Sequence, residues 1–209
     1  VLYKYQDVFV DGISGLTGIK VPPAEIEMKD EFKNKRVYTR NYPMSTEQKT
    51  ECHRQITEWK DAKLIVPASA RAGFNFNSPL LLVKKKSSSC PRLCLDMRKI
   101  NAAVLPVVVS LPHITDIVGQ IAEKQSRFYT TVDFRQSFMQ VKLAEGISRD
   151  LLSFTVPCDG MPYSMAVAPF GFVSSGSFLA SALATVLRGL EKDGSLAVYV
   201  DECLIGHQH

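Results

Sequence analysis

Apolar residues recur at helical spacing in three segments of the chain, residues 45–63, 114–121 and 174–190. The first opens with Ser-Thr-Glu-Gln, in which the serine and the glutamine can exchange hydrogen bonds with the backbone as a capping box. In the second, isoleucine or valine recurs at positions i, i+3, i+4 and i+7, which lines one face of a helix. The third is apolar on overlapping rows, so it predicts a long, mostly buried helix.

Shorter apolar runs lie between these segments and predict strands. Residues 79–83 and 92–96 flank a stretch of lysine and serine, which indicates a hairpin with a basic tip. Residues 128–134 are aromatic and β-branched, so they predict a strand that ends on an acid. The remaining extended pieces are expected at residues 138–143, 151–156 and 196–206.

The order of the predicted elements favours the α+β class. Strands and helices are interspersed without the strict βαβ alternation of a doubly wound parallel sheet. Residues 1–43 are mixed in charge, contain Pro22-Pro23 and show no sustained periodicity. We therefore expect them to form an arm or linker and not a packed unit.

Composition sets broad limits. Of the 209 residues, 45% are hydrophobic, so the chain can bury a core. The formal net charge of +4 allows nucleic-acid binding without requiring it. The five cysteines are scattered without the paired spacing of a zinc site, and we expect reduced thiols in an intracellular protein.

Residues 161–187 lack charged side chains and are long enough to resemble a membrane span. Prolines, a glycine and several serines interrupt the run, so we interpret it as buried core. The first residues lack the charged and apolar regions of a signal peptide. We expect no membrane partner.

Two adjacent acids, Asp201 and Glu202, interrupt the apolar run at residues 196–206. They can simply form the polar tip of a hairpin, which is the usual position of such residues. Alternatively, they face a divalent cation such as Mg²⁺, which offsets the cost of their desolvation. Asp133 also ends an apolar strand, and two neighbouring strands would bring these acids to one edge of a sheet.

Three converging acids are what a two-metal phosphoryl-transfer site requires. One ion activates the attacking hydroxyl, and the other stabilises the leaving group. Lys85 and Arg92, in the basic hairpin, are candidates to hold triphosphate oxygens, arginine through a bidentate fork and lysine as a point charge. A solvated basic hairpin is the alternative for both.

The segment Tyr199-Val200-Asp201-Glu202 resembles the Tyr-x-Asp-Asp box of reverse transcriptases. Further motifs occur in the order seen in the polymerase of gypsy-type LTR retrotransposons, and the resemblance covers nearly the whole chain. These motifs are Asn77-Ser78-Pro79, Val83-Lys84-Lys85-Lys86, residues 92–101, Leu111-Pro112-His113-Ile114, residues 131–135, Phe138-Met139-Gln140 and Pro169-Phe170-Gly171-Phe172.

The resemblance implies an RNA-directed DNA polymerase with the fingers and a partial palm of a right-hand fold, its antiparallel palm sheet backed by helices. Residues 1–43 would lead to the fingers, residues 44–126 would form the first part of the fingers with the entry to the palm, and residues 127–209 would form the palm with an intervening fingers segment. By this analogy the chain ends before the primer grip and thumb.

The resemblance also assigns site residues. Asp133, Asp201 and Glu202 would be the catalytic acids and, with the carbonyl of Phe134, would bind two Mg²⁺ ions, for which Mn²⁺ could substitute. The deoxynucleotide would contact Lys85, Arg92, Phe138, Phe170 and Gly171. Nucleic acid would be contacted or supported by Asn77, Pro79, Arg98, Gln140 and Tyr199.

Some of these roles have plain structural alternatives. Phe138 would be the aromatic gate that crowds a ribose 2′-OH, although an aromatic residue in a strand is usually core. Arg98 could equally be an ion-pair partner of Asp96, and Tyr199 could pack without a function. His207 and His209 make an incomplete metal site, so we expect them to be exposed.

The implied partners are an RNA template, a DNA primer, deoxynucleotides and the rest of a Pol polyprotein, with its protease, thumb and connection, RNase H and integrase. The implied location is the cytoplasm, within the virus-like particle of the element, or the nucleus. The chain also departs from the family, since Glu202 replaces the last aspartate of the box and its extra methylene displaces a carboxylate. An alternative is therefore a catalytically impaired remnant that still binds nucleic acid, and a purely structural α+β domain is a third.

Overall fold

The computed structural model describes residues 13, 15–85, 88–110, 113–190 and 196–207. The helices are α1 (Thr46–Asp61), α2 (Ala70–Asn75), α3 (Arg98–Ala103), α4 (Ile114–Glu123), α5 (Ile147–Leu151) and α6 (Ser175–Val186). The strands are β1 (Val37–Tyr38), β2 (Ile65–Pro67), β3 (Phe76–Asn77), β4 (Leu80–Lys85), β5 (Ser88–Leu95), β6 (Phe128–Asp133), β7 (Ser153–Thr155), β8 (Pro162–Met165), β9 (Leu196–Tyr199) and β10 (Glu202–His207). Short 3₁₀ helices span Asp30–Phe32 and Ser137–Gln140. The mixture confirms the α+β class.

Helix α1 begins as its sequence predicts. The Ser45 hydroxyl accepts a hydrogen bond from the Gln48 amide at 3.3 Å, and the Gln48 side chain accepts one from the Ser45 amide at 2.9 Å. These two bonds complete a capping box. One face of the helix, which carries Cys52, Ile56 and Trp59, is buried.

In the described part of the chain, the strands form four small sheets. Strands β4 and β5 pair as the predicted antiparallel hairpin, whose tip falls outside the described residues at positions 86 and 87. Strands β6, β10 and β9 form an antiparallel sheet in that order. Strands β2, β8 and β7 form a second antiparallel sheet, and β1 pairs with β3 in parallel.

The main core packs α1, the hairpin, the β2–β8–β7 sheet and α6 together. Its fully buried side chains include Ile56, Leu80, Phe154 and Leu179. Trp59 meets the edge of Phe154 with ring centroids 6.4 Å apart. No described helix has both the length and the apolar character that a membrane span requires.

A smaller cluster holds α4 against the β6–β10–β9 sheet. Ile117 and Ile121 of the helix pack on Ala197 of β9, with Leu204 of β10 beside them. The helix therefore covers the end of the sheet away from the β9–β10 turn. The side chains of β6 are exposed along the strand.

Residues 138–143 were expected to be extended, and this was wrong for residues 138–140, whereas Val141 is extended and Lys142 and Leu143 form isolated bridges. Gln136 takes a left-handed conformation with φ +50°, and the chain then coils into the 3₁₀ helix. Met139, Val141 and Leu143 are buried at alternate positions, which produces a strand-like pattern without a strand. Lys142 and Val167 form an isolated β-bridge, which does not extend into a strand pair.

The expectation of an unpacked arm was also wrong for the described part of residues 1–43. Ile26, Met28 and Val37 lie in the main core. Single bridges, such as that from Met28 to Val104, hold this segment, and they are too short to leave a periodic signal. Residues 1–12 lie outside the described part, and the proposed domain divisions stay predictions.

Two further boundaries differ from the predictions. Helix α6 ends at Val186, and beyond it Leu190 is 61% exposed, so the predicted helix was too long and its end is not buried. The segment 151–156 is extended only in β7, because Leu151 closes α5. His207 is exposed as expected, while His209 lies outside the described residues.

Candidate active site

The first two acids of the site are direct neighbours across a strand pair. In the antiparallel pairing of β6 and β10, Asp133 lies opposite Glu202. Side chains at directly opposed positions leave the same face, with Cβ atoms about 4.5–5.5 Å apart. Tyr199 lies opposite Glu202 on the other side and shares this face. All three side chains are exposed at the end of the sheet that α4 leaves open.

Asp201 lies in the turn between β9 and β10. The preceding residue, Val200, has φ +57°, which is unfavourable for a β-branched residue. The carbonyl of Asp201 accepts a hydrogen bond from the Phe134 amide at 3.0 Å, and its carboxylate accepts one from the hydroxyl of buried Ser137 at 3.4 Å. These contacts hold the strained turn beside the end of β6.

Carboxylates and a backbone carbonyl are the donors that a hard divalent cation prefers, so the residues fit Mg²⁺ in their chemistry. Among the described residues, however, no three His, Cys, Asp or Glu side chains are grouped closely enough to hold an ion. The structure therefore brings Asp133, Asp201 and Glu202 to one end of the sheet without gathering them into a formed metal cluster.

Three residues predicted to contact the nucleotide form one stack. The guanidinium of Arg92 lies over the ring of Phe170, 5.3 Å from its centroid. Phe170 in turn meets Phe138 edge to face at 5.1 Å. Arg92 is exposed on β5, opposite Val83 of β4. The backbone of Lys85 lies at the end of β4, but its side chain is outside the described part.

The turn that carries Gly171 is held by an asparagine that we did not predict as a site residue. Gly171 has φ +85°, which only glycine adopts readily. The Asn101 side chain donates to the Gly171 carbonyl at 2.8 Å and accepts from the Val173 amide at 2.9 Å. The Ser175 hydroxyl donates to the Pro169 carbonyl at 2.7 Å. Asn101 is the last residue of the motif at residues 92–101, and this motif was the only sequence signal for its role.

Asn77 and Pro79 are buried, so they would affect a template through the shape of the surrounding backbone and not by direct side-chain contact. The amide of Asn77 donates to the Thr39 carbonyl. Gln140 donates to the Arg135 carbonyl at 2.8 Å, within its own turn. Among the described residues, the side chains of Asn77 and Gln140 thus bond to the backbone of the protein itself.

Arg98 forms the ion pair with Asp96 that we predicted as the alternative to nucleic-acid contact. It hydrogen-bonds Asp96 at 2.6 and 2.9 Å, and Tyr42 donates to the same carboxylate at 2.6 Å. The hydrogen bonds from Arg98, followed by that from Tyr42, hold the pKa of Asp96 well below its ordinary value. Arg98 is itself largely exposed, so its guanidinium still faces solvent.

Comparison with known proteins identifies the family. The model of the family described as reverse transcriptase (RNA-dependent DNA polymerase) matches residues 83–209, more than half of the chain. The chain belongs to the reverse transcriptase family. The match includes Arg92, Phe138 and Phe170 as well as β6 and β10, which carry Asp133 and Glu202.

Among relatives of this reverse transcriptase chain are two Pol polyproteins of Drosophila melanogaster. The polyprotein from transposon 412 is 28% identical over 207 residues, 97% of this chain and 16% of the relative. That from transposon gypsy is 30% identical over 178 residues, 82% of this chain and 16% of the relative. The chain thus spans a small part of these polyproteins. The predicted resemblance to the reverse transcriptase of gypsy-type retrotransposons is therefore confirmed.

Solved reverse transcriptases show the same fold. The foamy viral protease-reverse transcriptase in complex with an RNA/DNA hybrid superposes with a TM-score of 0.81 at 19% identity, covering all of this chain and 26% of that one. The complex of the foamy viral enzyme with double-stranded DNA gives 0.76 at 18% identity, with 100% and 34% covered. The α+β fingers and palm architecture is therefore confirmed.

Proposed function

We propose that this chain supplies the fingers and part of the palm of an RNA-directed DNA polymerase within a retrotransposon Pol polyprotein. It adds a deoxynucleotide to a primer 3′-OH, copying an RNA or DNA template. The observation that carries the proposal is the convergence of Asp133, Glu202 and Asp201 at one end of the β6–β10–β9 sheet. Membership of the reverse transcriptase family supports it.

The acids have distinct positions in this reaction. Asp133 and Asp201, with the Phe134 carbonyl, would hold two Mg²⁺ ions, and Mn²⁺ could replace them. When bound, such ions lower the pKa of an attacking hydroxyl and stabilise negative charge on the leaving group. Glu202 shares the face of Asp133 and adds a third carboxylate to the same end of the sheet. Ser137 orients the Asp201 carboxylate through its hydrogen bond.

The stack of Arg92, Phe170 and Phe138 forms the nucleotide side of the site. The exposed guanidinium of Arg92 lies over Phe170 and would offer a bidentate fork to phosphate oxygens. Phe138 would crowd a ribose 2′-OH and thereby favour deoxynucleotides. Gly171 keeps the neighbouring turn bare of a side chain, and Lys85 would add a point charge to the triphosphate.

The partners follow from this role. An RNA template and a DNA primer would bind across the fingers and palm, mainly through their phosphates, so affinity would fall with salt. Tyr199 shares the face of the acids, where a primer end would lie. The protease, thumb and connection, RNase H and integrase would belong to the same Pol polyprotein, in a cytoplasmic virus-like particle or in the nucleus.

The test is single-nucleotide extension of a DNA primer on an RNA template by the Pol polyprotein that carries this chain. We expect extension that depends on Mg²⁺ and is lost in Asp201→Asn. Extension by Asp201→Asn at the parent rate would refute the proposed site. Primer–template affinity, measured in parallel, verifies that the variant still binds its substrate.

A second candidate function is nucleic-acid binding without catalysis. Two observations favour it, namely Glu202 at the position of an aspartate and the lack of a formed three-acid cluster among the described residues. It predicts tight primer–template binding without extension by the parent chain. Recovery of extension in Glu202→Asp would show that the site is intact and only this carboxylate is displaced.

A further inference from the structure

The side chain of Gln55 bridges α1 to the strand that carries Arg92. Its amide nitrogen donates to the Pro91 carbonyl at 2.8 Å, and its amide oxygen accepts from the Leu93 amide at 2.9 Å. Gln55 is only 9% exposed. It therefore hydrogen-bonds the two residues on either side of Arg92 from within the main core.

These two bonds use the free edge of the hairpin. Backbone groups of alternate residues in a strand point to the same edge, and among the described residues β5 pairs with β4 on one edge only. Pro91 and Leu93 thus present their groups away from β4, while Arg92 lies opposite Val83. Gln55 takes the place that a further strand would occupy and fixes the backbone at Arg92 from that side.

The orientation of the Gln55 amide is itself fixed by a charged network. Its nitrogen also donates to the Glu51 carboxylate at 2.5 Å. Arg54 hydrogen-bonds Glu51 at 2.7 and 3.0 Å, and the Cys90 thiol donates to it at 3.2 Å. The amide side chain donates to Pro91 and accepts from Leu93 at once, whereas a glutamate anion can only accept and a leucine can do neither.

We propose that Gln55 is a positioning residue for nucleotide binding, acting through Arg92. By holding the backbone on both sides of Arg92, it keeps the guanidinium over Phe170, 5.3 Å from the ring centroid. Gln55, Arg92 and Phe170 line one cleft of about 240 Å³. The inference rests on the proposed function, in which Arg92 binds the triphosphate.

The experiment compares Gln55→Leu and Gln55→Glu with Arg92→Ala in the Pol polyprotein, by single-nucleotide extension at varied deoxynucleotide concentration. Leucine removes both bonds at similar volume, and glutamate removes the donor and adds a charge beside Glu51. Because a small displacement of a binding group has a large effect, we expect KM for the nucleotide to rise about tenfold. We expect kcat and primer–template affinity to change less than about twofold, because only nucleotide binding is affected.

Two comparisons separate positioning from general destabilisation. Gln48→Ala breaks the capping box of the same helix far from the hairpin strand, so it should lower the active fraction without changing KM. The double variant Gln55→Leu/Arg92→Ala should bind nucleotide no more weakly than Arg92→Ala alone, because both changes remove one interaction. If Gln55→Leu fails to fold, Gln55→Glu is compared with Arg92→Ala in its place, alone and in the double variant.

The outcomes distinguish this inference from the proposed function. If Arg92→Ala leaves KM unchanged, the triphosphate role of Arg92 fails, and the inference fails with it. If Arg92→Ala raises KM but the Gln55 variants do not, or if their effects multiply in the double variant, only the positioning role is overturned. A raised KM without further loss in the double variant supports both.

Discussion

Asp133 and Glu202 face each other directly across the antiparallel pairing of β6 and β10, so the two side chains leave the same face of the sheet. Asp201 lies one residue earlier, in a turn with left-handed Val200, and its carbonyl is tied to the Phe134 amide. The carboxylate of Glu202 thus comes from the strand, while that of Asp201 comes from the turn. The length of residue 202 decides how far its carboxylate extends from the strand.

Shortening this residue should increase activity. Glu202→Asp removes one methylene and withdraws the carboxylate toward β10, so we expect primer extension to rise about tenfold or more, since small errors in geometry strongly affect rate. The measurement is kcat/KM for single-nucleotide extension. Glu202→Gln serves as the control, because it keeps the length and removes the charge. An equal rate in Glu202→Asp and the parent would show that residue 202 does not limit the reaction.

A side chain at Gly171 should destabilise the turn through backbone conformation alone. A Cβ there would come no closer than 4.0 Å to the Leu95 carbonyl, so space is sufficient, but φ is +85°. We expect Gly171→Ala to lower the free energy of unfolding by about 1–2 kcal/mol.

Gly176 offers a matched control for that substitution. It lies in α6, where a Cβ meets nothing within 4 Å. Gly176→Ala should raise the free energy of unfolding by about 0.5–1 kcal/mol, because alanine loses less backbone entropy in a helix. Denaturant unfolding of both variants measures the two effects. Changes of the same sign would contradict the conformational explanation.

Periodic patterns were sufficient to predict the elements that carry the site. The capping box of α1, the basic hairpin and the strand ending at Asp133 each leave a local signal in the sequence, and each was found in the structure. The expected proximity of the two acidic strands is also observed, since β6 pairs with β10. Local periodicity and turn residues report these features because they depend on neighbours along the chain.

The supporting polar contacts could not be predicted in this way. Gln55 contacts Pro91 across 36 residues, Ser137 contacts Asp201 across 64, and Asn101 contacts Val173 across 72. Each bond joins a side chain to a distant partner whose position depends on the whole fold. Such pairs have no periodic pattern in the sequence, whereas the buried apolar face of a helix or strand does.

Acid should destabilise the chain partly through Glu51. Its pKa is lowered from 4.5 to about 2, chiefly by the hydrogen bond from Arg54 and further by Gln55 and Cys90. A carboxyl whose pKa is lower in the folded state contributes stability above its unfolded pKa, and this contribution is lost as pH falls through the folded value. We therefore expect stability to fall between about pH 4.5 and pH 2.

Removing the Glu51 charge should reduce that dependence. In Glu51→Gln, the decrease of the denaturation midpoint over the same pH range should be smaller than in the parent. Glu58→Gln is the control, because Glu58 pairs with the same Arg54, whereas Gln55 and Cys90 both hydrogen-bond Glu51. Parallel pH curves for Glu51→Gln and the parent would show that this carboxyl does not contribute.

Sugar selection should depend on the volume of Phe138. Its ring is held edge to face against Phe170, 5.1 Å between centroids, and Phe170 lies under Arg92. Phe138→Val keeps an apolar side chain but removes the bulk that would meet a 2′-OH. We expect the ratio of kcat/KM for deoxynucleotide over ribonucleotide to fall about tenfold, equivalent to about 1.4 kcal/mol. The measurement is single-nucleotide extension with each substrate, and Phe138→Tyr, which keeps the ring, should retain the parent ratio. A ratio unchanged in Phe138→Val would mean that the ring serves only to pack against Phe170.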